Sequence, residues 1–307
     1  MTTTTSAREA HGANTRYLHG ADEFVVVELA EGMSLEVNMR SMAITKRLEE
    51  MALPGVIEIC PANASYMVRF DPDRLAPTDL VTELRRIEDE IGDAADFHLK
   101  TRAVDVPVLY KDPWTEQTLM RFRDRHQRPE GNDLEYAAEI NGFESEGAFI
   151  DAHCGAPYIV SMCGFVPTVP WCYQLVEQDR QIEVPKYVRP RTDTPERAFA
   201  HGGAFAAIYP VRGAGGYQLF GMVAAPIFQR EQTLADFAES VAFPRPGDIF
   251  NFRRIGREEY DAIRAEVDEG TFRYRRCELD FVPAEFLSDP AGTRDRILEA
   301  LYGDSRP

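Results

Sequence analysis

The 307-residue chain has no apolar run approaching the ~20 residues that cross a bilayer, no close Cys-x₂₋₄-Cys pair, and no glycine loop ending in Lys-Ser/Thr. Basic residues are also scarce. Against 51 Asp and Glu there are 34 Lys and Arg, for a net charge of −17. That balance excludes a nucleic-acid surface, which needs a basic face to displace counterions, and is read as a solubility device. No membrane partner is expected. Five cysteines cannot close a complete disulfide framework within one chain. Cys154, Cys163 and Cys172 are evenly spaced, with His153 beside the first, and read as buried free thiols. A reactive Cys154 is the weaker alternative, since neighbours on a strand face opposite ways. Residues 1–20 are polar and Thr-rich without a secretory apolar segment, and are expected to be a disordered lead-in to a cytoplasmic protein.

What is present parses into two textures. Phe24–Leu29 is a β-branched strand. Val37, Ile44, Leu48 and Met51 then fall on one helical face behind Ser34 as N-cap. Strands "PGVIEIC" and "SYMVRF" follow. A second helix carries Leu80, Leu84, Ile87 and Ile91, with Pro77 at its start and Gly92 past its end. Ala103–Tyr110 closes the order βαββαβ, a ferredoxin-like domain over 21–110. A helical connection over 111–155 contains Arg121, Arg123, Arg125 and Arg128, read as a solvated face. From 156 to 256, short apolar strands punctuated by Pro and Gly, "YIVSMCGFVP" and "IEVPKYV" among them, predict a closed or partly closed β-barrel. A helix–strand–helix extension over 257–307 completes an α+β chain.

"FAAIYPVRGAGGYQLFG" (205–221) invites a test as a phosphate cradle. Such a cradle needs its glycines between a strand and a helix, so that the helix N-terminus faces the anion. Here the glycines run into strand-like "YQLFGMV". A hairpin between "AAIYPV" and "YQLFG" is the plain alternative, and a pocket wall is the other, given "PKYVRPRTDTPE" and "HGG" nearby.

"GADEFVVVELAEGMSLEVNMR", "PGVIEICPANASYMVRFDP", "VDVPVLY", His153…Tyr158…Gly164-Phe165-x-Pro167, "PKYVRPRTDTPE…HGGAFAAIYPVRGAGGYQLFG" and "PGDIFNF" occur in this order. The set resembles the allophanate hydrolase subunit 1 family. That family includes the B subunits of 5-oxoprolinase, a sporulation-kinase inhibitor group and the first carboxyltransferase half of urea carboxylase. "DPWT", "EINGF" and the tail "EEYDAIRAEVDEGTFRYRRCELDF" are most similar to the urea carboxylase branch.

The resemblance implies a ferredoxin-like domain and a cyclophilin-like β-barrel. It also implies a carboxyltransferase subunit of a biotin-dependent enzyme acting on a small urea-like or amide substrate. Biotin would be carried by a partner, because the chain has no Met-Lys-Met biotinylation motif. ATP and Mg would be used by a partner as well. The implied partners are a second carboxyltransferase-half subunit (allophanate hydrolase subunit 2-like), biotin carboxylase and a biotin carrier protein. The alternatives are a 5-oxoprolinase-like, ATP-dependent cyclic-amide hydrolase subunit without biotin, or a regulatory scaffold.

Carboxyl transfer needs donors aimed at a developing oxyanion and a base for the attacking nitrogen. On the resemblance, Lys186, Arg191, Tyr209 and the Gly215–Gly216 amides are candidate donors, with Glu196 and His153 as candidate bases. Tyr158, Phe165, Pro167, Phe205, Gly215, Gly216, Tyr217 and Met222 are candidates for the substrate pocket. Each catalytic candidate also has a structural role open to it. Lys186 and Arg191 could form surface ion pairs, Tyr209 could pack in the core, His153 could end a helix, and Glu196 could begin a turn. Three departures from the family pattern stand out: Phe205 at a polar position, Met222-Val223 in place of Arg-Thr, and "PTV" in place of Pro-Gly-Phe. They imply a substrate less polar than urea or a barrel without chemistry of its own.

Overall fold

The computed structural model describes residues 15–94, 97–166 and 168–303. One compact unit runs to Leu99 and takes in Val282–Ala284; a second comprises Lys100–Phe281 and the chain from Glu285. The first unit contains β1 (Arg16–Gly20), β2 (Phe24–Glu28), α1 (Leu35–Met51), β3 (Val56–Pro61), β4 (Ser65–Phe70) and α2 (Pro77–Ile91). Ser34 caps α1 as expected, its hydroxyl accepting the Val37 N–H. Pro77 opens α2 and Gly92 closes it. Alternate residues of β2 and β4 (Val25, Val27, Tyr66, Val68, Phe70) meet Ile44, Leu48, Leu80, Leu84 and Ile87 in one core.

The sheet order is β1-β2-β4-β3, all antiparallel. Two expectations change here. Arg16–Gly20, placed in the disordered lead-in, is a strand paired with β2 through a tight turn; residues 1–14 lie outside the described residues. Ala103–Tyr110, expected to close this sheet, belongs to the other unit. β1 reaches β2 across a three-residue turn, so loop closure costs little.

The second unit is built on β5 (Leu99–Tyr110), whose last nine residues are all buried. A strand buried on both faces wants neighbours at both edges and cover on each side. A closed seven-strand barrel supplies that. After α3 (Pro113–Phe122), α4 (Asp133–Ile140) and α5 (Glu146–Cys154) come β6 (Tyr158–Gly164), β7 (Val169–Gln174), β8 (Arg191–Thr194), β9 (Ala198–Gly202), β10 (Phe205–Ile208), β11 (Gly213–Gly215), β12 (Gln218–Val223) and β13 (Ile249–Arg254). The barrel order is β12-β9-β10-β7-β6-β13-β5, and β12 pairs with β5 to close the ring. Val104, Val106 and Val108 point inward with Phe199, Phe220, Phe250 and Phe252. The tail adds α6 (Arg257–Glu269), β14 (Arg276–Phe281) against β5, α7 (Pro283–Ser288) and α8 (Pro290–Tyr302).

Two readings of the sequence are corrected in the barrel. "IEVPKYV" is a loop with one isolated bridge, Val184 to Gly203. The stretch 205–221 is no hairpin: β10 and β12 flank β9 on opposite sides, and β11 leaves the ring to pair with β8. The excursion of residues 209–217 carries the chain over β9 from one neighbour to the other.

The ring closes through a glycine. A Cβ on Gly221 would lie 2.5 Å from the Leu109 carbonyl oxygen and 3.1 Å from the Tyr110 Cα, both backbone atoms with little room to yield. Gly221→Ala is therefore expected to cost about 1–3 kcal/mol in chemical unfolding; an unchanged midpoint would show that the seam can open freely. All five cysteines are free, and burial pushes the Cys163 thiol up to about 12. Among the described residues, no helix is long and apolar enough to cross a membrane.

Candidate functional site

Alternation along β9 decides which side chains see the interior. Phe199 and His201 face inward, while Ala198, Ala200 and Gly202 face outward. Across the ladder, Phe205 pairs with Tyr173 and Ala207 with Trp171, so these also share the outer face. Small residues at 198, 200, 202 and 207 make a shallow floor on which the returning excursion lies.

Tyr217 uses that floor. A Cβ on Gly202 would fall 2.3 Å from its ring, so the ring rests directly on the strand backbone. Its centroid lies 5.8 Å from that of Trp171, and Trp171 meets Phe205 edge-on at 5.4 Å. Tyr173 completes the aromatic wall, 5.8 Å from Phe205. Lys186 Nζ lies 5.3 Å from the Tyr217 ring centroid and 6.0 Å from that of Trp171, within cation–π range. Gly202→Ala is expected to displace Tyr217 from this wall; loss of the near-ultraviolet aromatic signal with unchanged far-ultraviolet dichroism would check it.

Three donors here lack partners. Trp171 Nε1, Tyr217 Oη and Arg191 Nη2 are buried and make no hydrogen bond among the described residues. Burying such a donor costs about 1–3 kcal/mol each, so an acceptor-bearing ligand would relieve a standing penalty. Arg191 is fully buried. Its Nη1 donates to the Tyr217 carbonyl at 2.8 Å, its Nε to Thr194 Oγ1 at 3.2 Å, and its guanidinium stacks on Tyr187 at 4.4 Å. It thus ties the excursion to β8. Tyr209 is buried beside it, with a hydroxyl pKa raised by burial.

Beneath lies a buried polar network. Asp133, at the start of α4, accepts from the Tyr187 hydroxyl at 2.7 and 2.8 Å and from the Leu219 N–H at 2.5 Å. His126 Nε2 sits 3.5 Å from Asp133 and 2.8 Å from Gln218 Oε1. Its Nδ1 lies 2.8 Å from the Arg128 amide nitrogen and 2.9 Å from the Arg128 carbonyl oxygen, so both ring nitrogens are engaged. Burial raises the Asp133 pKa, partly offset by these bonds and by the Arg191 charge.

The structure brings Lys186, Arg191, Phe205, Tyr209, Gly215, Gly216 and Tyr217 into one region. Gly215 is pressed against the Tyr209 hydroxyl, and the Gly216 carbonyl accepts the Tyr187 N–H. Other candidates lie elsewhere. His153 is sealed inside the barrel with both ring nitrogens engaged, which removes it as a base. Tyr158 is also interior, its hydroxyl on the His153 carbonyl. Met222 packs with Leu109, Ala224, Ile255 and Tyr260 on another outer face, so its apolar character serves packing. Glu196 is exposed in the turn between β8 and β9, beside Arg197, whose guanidinium holds the Val223 carbonyl and the Tyr260 hydroxyl. Phe165 is 71% exposed in the β6–β7 turn. Pro167 lies outside the described residues. The arginine cluster is engaged rather than simply solvated: Arg121 with Asp193, Arg123 with the Pro129 carbonyl, Arg125 with the Pro190 carbonyl, and Arg128 with Glu139.

Sequence reasoning missed Trp171, Tyr173, Asp133 and Tyr187. "WCY" carried a usable signal, since Trp and Tyr two apart share a strand face. Asp133 carried none, because its partners are distant in sequence.

Residues 15–237 match the family described as carboxyltransferase domain, subdomain C and D. The chain is 28% identical over 255 residues to the B subunit of 5-oxoprolinase from Bacillus subtilis, covering 80% of this chain and 95% of that protein. It is 23% identical over 260 residues to the urea amidolyase of Lachancea kluyveri, covering 83% of this chain and 14% of that protein. In fold it is similar to the crystal structure of Kluyveromyces lactis urea carboxylase, with a TM-score of 0.78 and 22% identity over 95% of this chain and 26% of that one. These relatives are of the two kinds that the ordered motifs suggested.

Proposed function

The chain belongs to the carboxyltransferase domain family, subdomain C and D, and on that premise we propose that it is the carboxyltransferase subunit of a biotin-dependent, urea carboxylase-like enzyme. It would move a carboxyl group to a urea-like or amide nitrogen, in a site shared with a second homologous barrel subunit. The observation that carries the reading is the aromatic wall with Lys186 across it and two unpartnered donors, Trp171 Nε1 and Tyr217 Oη, within it.

That donor set fits the carbonyl oxygen of a urea-like or amide substrate. When bound, the biotin of a carrier protein would supply the activated carboxyl. Lys186 balances the charge of the transferred carboxylate, Trp171 and Tyr217 donate to the substrate carbonyl oxygen, and the rings exclude water. Among the described residues the wall holds donors and no carboxylate, and His153 and Glu196 lie elsewhere. The proton leaving the substrate nitrogen is therefore assigned to a base on the partner barrel, consistent with a shared site. ATP and Mg would be used by biotin carboxylase.

Native affinity purification tests this. A second carboxyltransferase-half subunit and a streptavidin-reactive carrier are expected to co-purify, and recovery of neither sinks the reading. The second reading is a 5-oxoprolinase-like, ATP-dependent cyclic-amide hydrolase subunit, favoured by the match along 95% of the Bacillus subtilis protein. An active complex without any biotin protein would select it. A scaffold role would be selected by a complex whose turnover is unaffected by Tyr217→Phe and Lys186→Ala.

A further inference from the structure

The wall differs in character along its length, and the difference bears on what it can hold. At the Tyr217 end sit the unpartnered hydroxyl and the Lys186 ammonium, and the Trp171 ring, with its unpartnered indole N–H, lies between Tyr217 and Phe205. Tyr217 is only 8% exposed, and its buried hydroxyl has no acceptor among the described residues. At the other end, Phe205 presents a half-buried ring that carries no polar atom, 5.8 Å from the Tyr173 ring. A urea molecule, polar on every edge, would satisfy the first end and leave its remaining N–H groups against the Phe205 ring, which carries no acceptor of its own. Such a mismatch is disfavoured.

We propose that the slot selects an amide or urea bearing a flat apolar substituent. The carbonyl oxygen accepts from Trp171 Nε1 and Tyr217 Oη, and the substituent lies against Phe205 and Tyr173. This rests on the carboxyl-transfer reading for its place in a reaction, but the recognition itself is a property of the chain alone.

The test is equilibrium titration of the full chain with phenylurea and with urea, followed by tryptophan fluorescence. Trp114 lies in a separate cluster against Tyr260 and Arg257, so a Trp114→Phe background leaves Trp171 as the reporter. Phenylurea is expected to give a saturable change and to bind at least about tenfold more tightly than urea, a difference of about 1.4 kcal/mol. Phe205→Ala should remove most of that preference. Tyr217→Phe, which keeps the ring over Gly202, should weaken both ligands about equally. Absence of a saturable change, equal affinities, or a preference that survives Phe205→Ala in a variant with unchanged circular dichroism overturns the proposal. The two failures separate cleanly. A complex that carboxylates urea while the chain shows no preference defeats this inference and leaves the reading standing. A chain that prefers phenylurea in a complex lacking biotin chemistry defeats the reading and leaves the slot.

Discussion

Asp133→Ala is expected to lower the unfolding free energy by about 3 kcal/mol. Both carboxylate oxygens are spent on neighbours from distant segments: the Tyr187 hydroxyl in the loop before β8 and the Leu219 N–H in β12. Deleting the carboxylate orphans two buried donors, at about 1–3 kcal/mol each, and removes the negative charge felt by Arg191. Part of this is returned, because burying the charge is itself unfavourable, as the raised Asp133 pKa indicates. Tyr187→Phe orphans less and should cost about 1 kcal/mol. Chemical unfolding followed by circular dichroism measures both. If Asp133→Ala lost no more than Tyr187→Phe, the Leu219 N–H would have found another acceptor and the network would not hold the excursion in place. The functional consequence is direct, since Tyr187 carries the Arg191 guanidinium that anchors Tyr217.

Stability of the barrel unit is expected to fall as pH is lowered from about 6.5 towards 4, through two histidines inside it. His201 Nε2 faces the Ile182 carbonyl at 3.1 Å, so it must carry the proton and leave Nδ1 as acceptor. His153 Nε2 then donates to that Nδ1 at 3.0 Å, and its own Nδ1 accepts from the Tyr110 hydroxyl at 3.0 Å. Every polarity in the relay is used with both rings neutral. A proton added to His153 or His201 would set two donors against each other or displace Tyr110. Burial lowers the His201 pKa to about 4 and holds His153 well below its ordinary value.

The sign follows from linkage. Between the unfolded value near 6.5 and the folded value, the unfolded chain binds more protons, so stability rises with pH and is lost on acidification. For His201 alone the loss reaches about 3 kcal/mol at pH 4, and His153 adds in the same direction. Asp112, Asp133 and Asp248, whose pKa values burial raises, work oppositely: their contribution is greatest in acid and is lost as pH rises through their folded values. The histidine effect is therefore read by two measurements together. Unfolding free energies should decline from pH 6.5 to 5, while the imidazole resonances of His153 and His201 stay in place. Rings that titrate normally in the folded protein would end the argument.

Most of the local structure was legible in the sequence. Ser34, Pro77 and Gly92 mark helix ends because caps act on backbone groups within a few residues. The spacing of Leu80, Leu84 and Ile87 marks a buried face because helical neighbours recur at three and four. The ordered motifs carried the family, and the gathering of Lys186, Arg191, Tyr209 and Tyr217 followed from their closeness along the chain. His153, on α5, was misjudged because nothing local says what a helix face packs against, and Tyr158 and Met222, on strands, for one shared reason. Alternation says that a strand has two faces and does not say which is inside.

By itself, then, the sequence determined where the two helices of the first unit begin and end, that short strands build the region after residue 156, and which family it belongs to. These properties rest on interactions that span a few residues or on ordered motifs. Only the tertiary structure decided that Arg16–Gly20 joins the first sheet while Ala103–Tyr110 closes a barrel. It alone placed β10 and β12 on opposite sides of β9, and Trp171 and Tyr217 on a common wall. Those outcomes depend on pairing between segments far apart in the chain, where closure of the ring fixes register and register fixes which side chains meet.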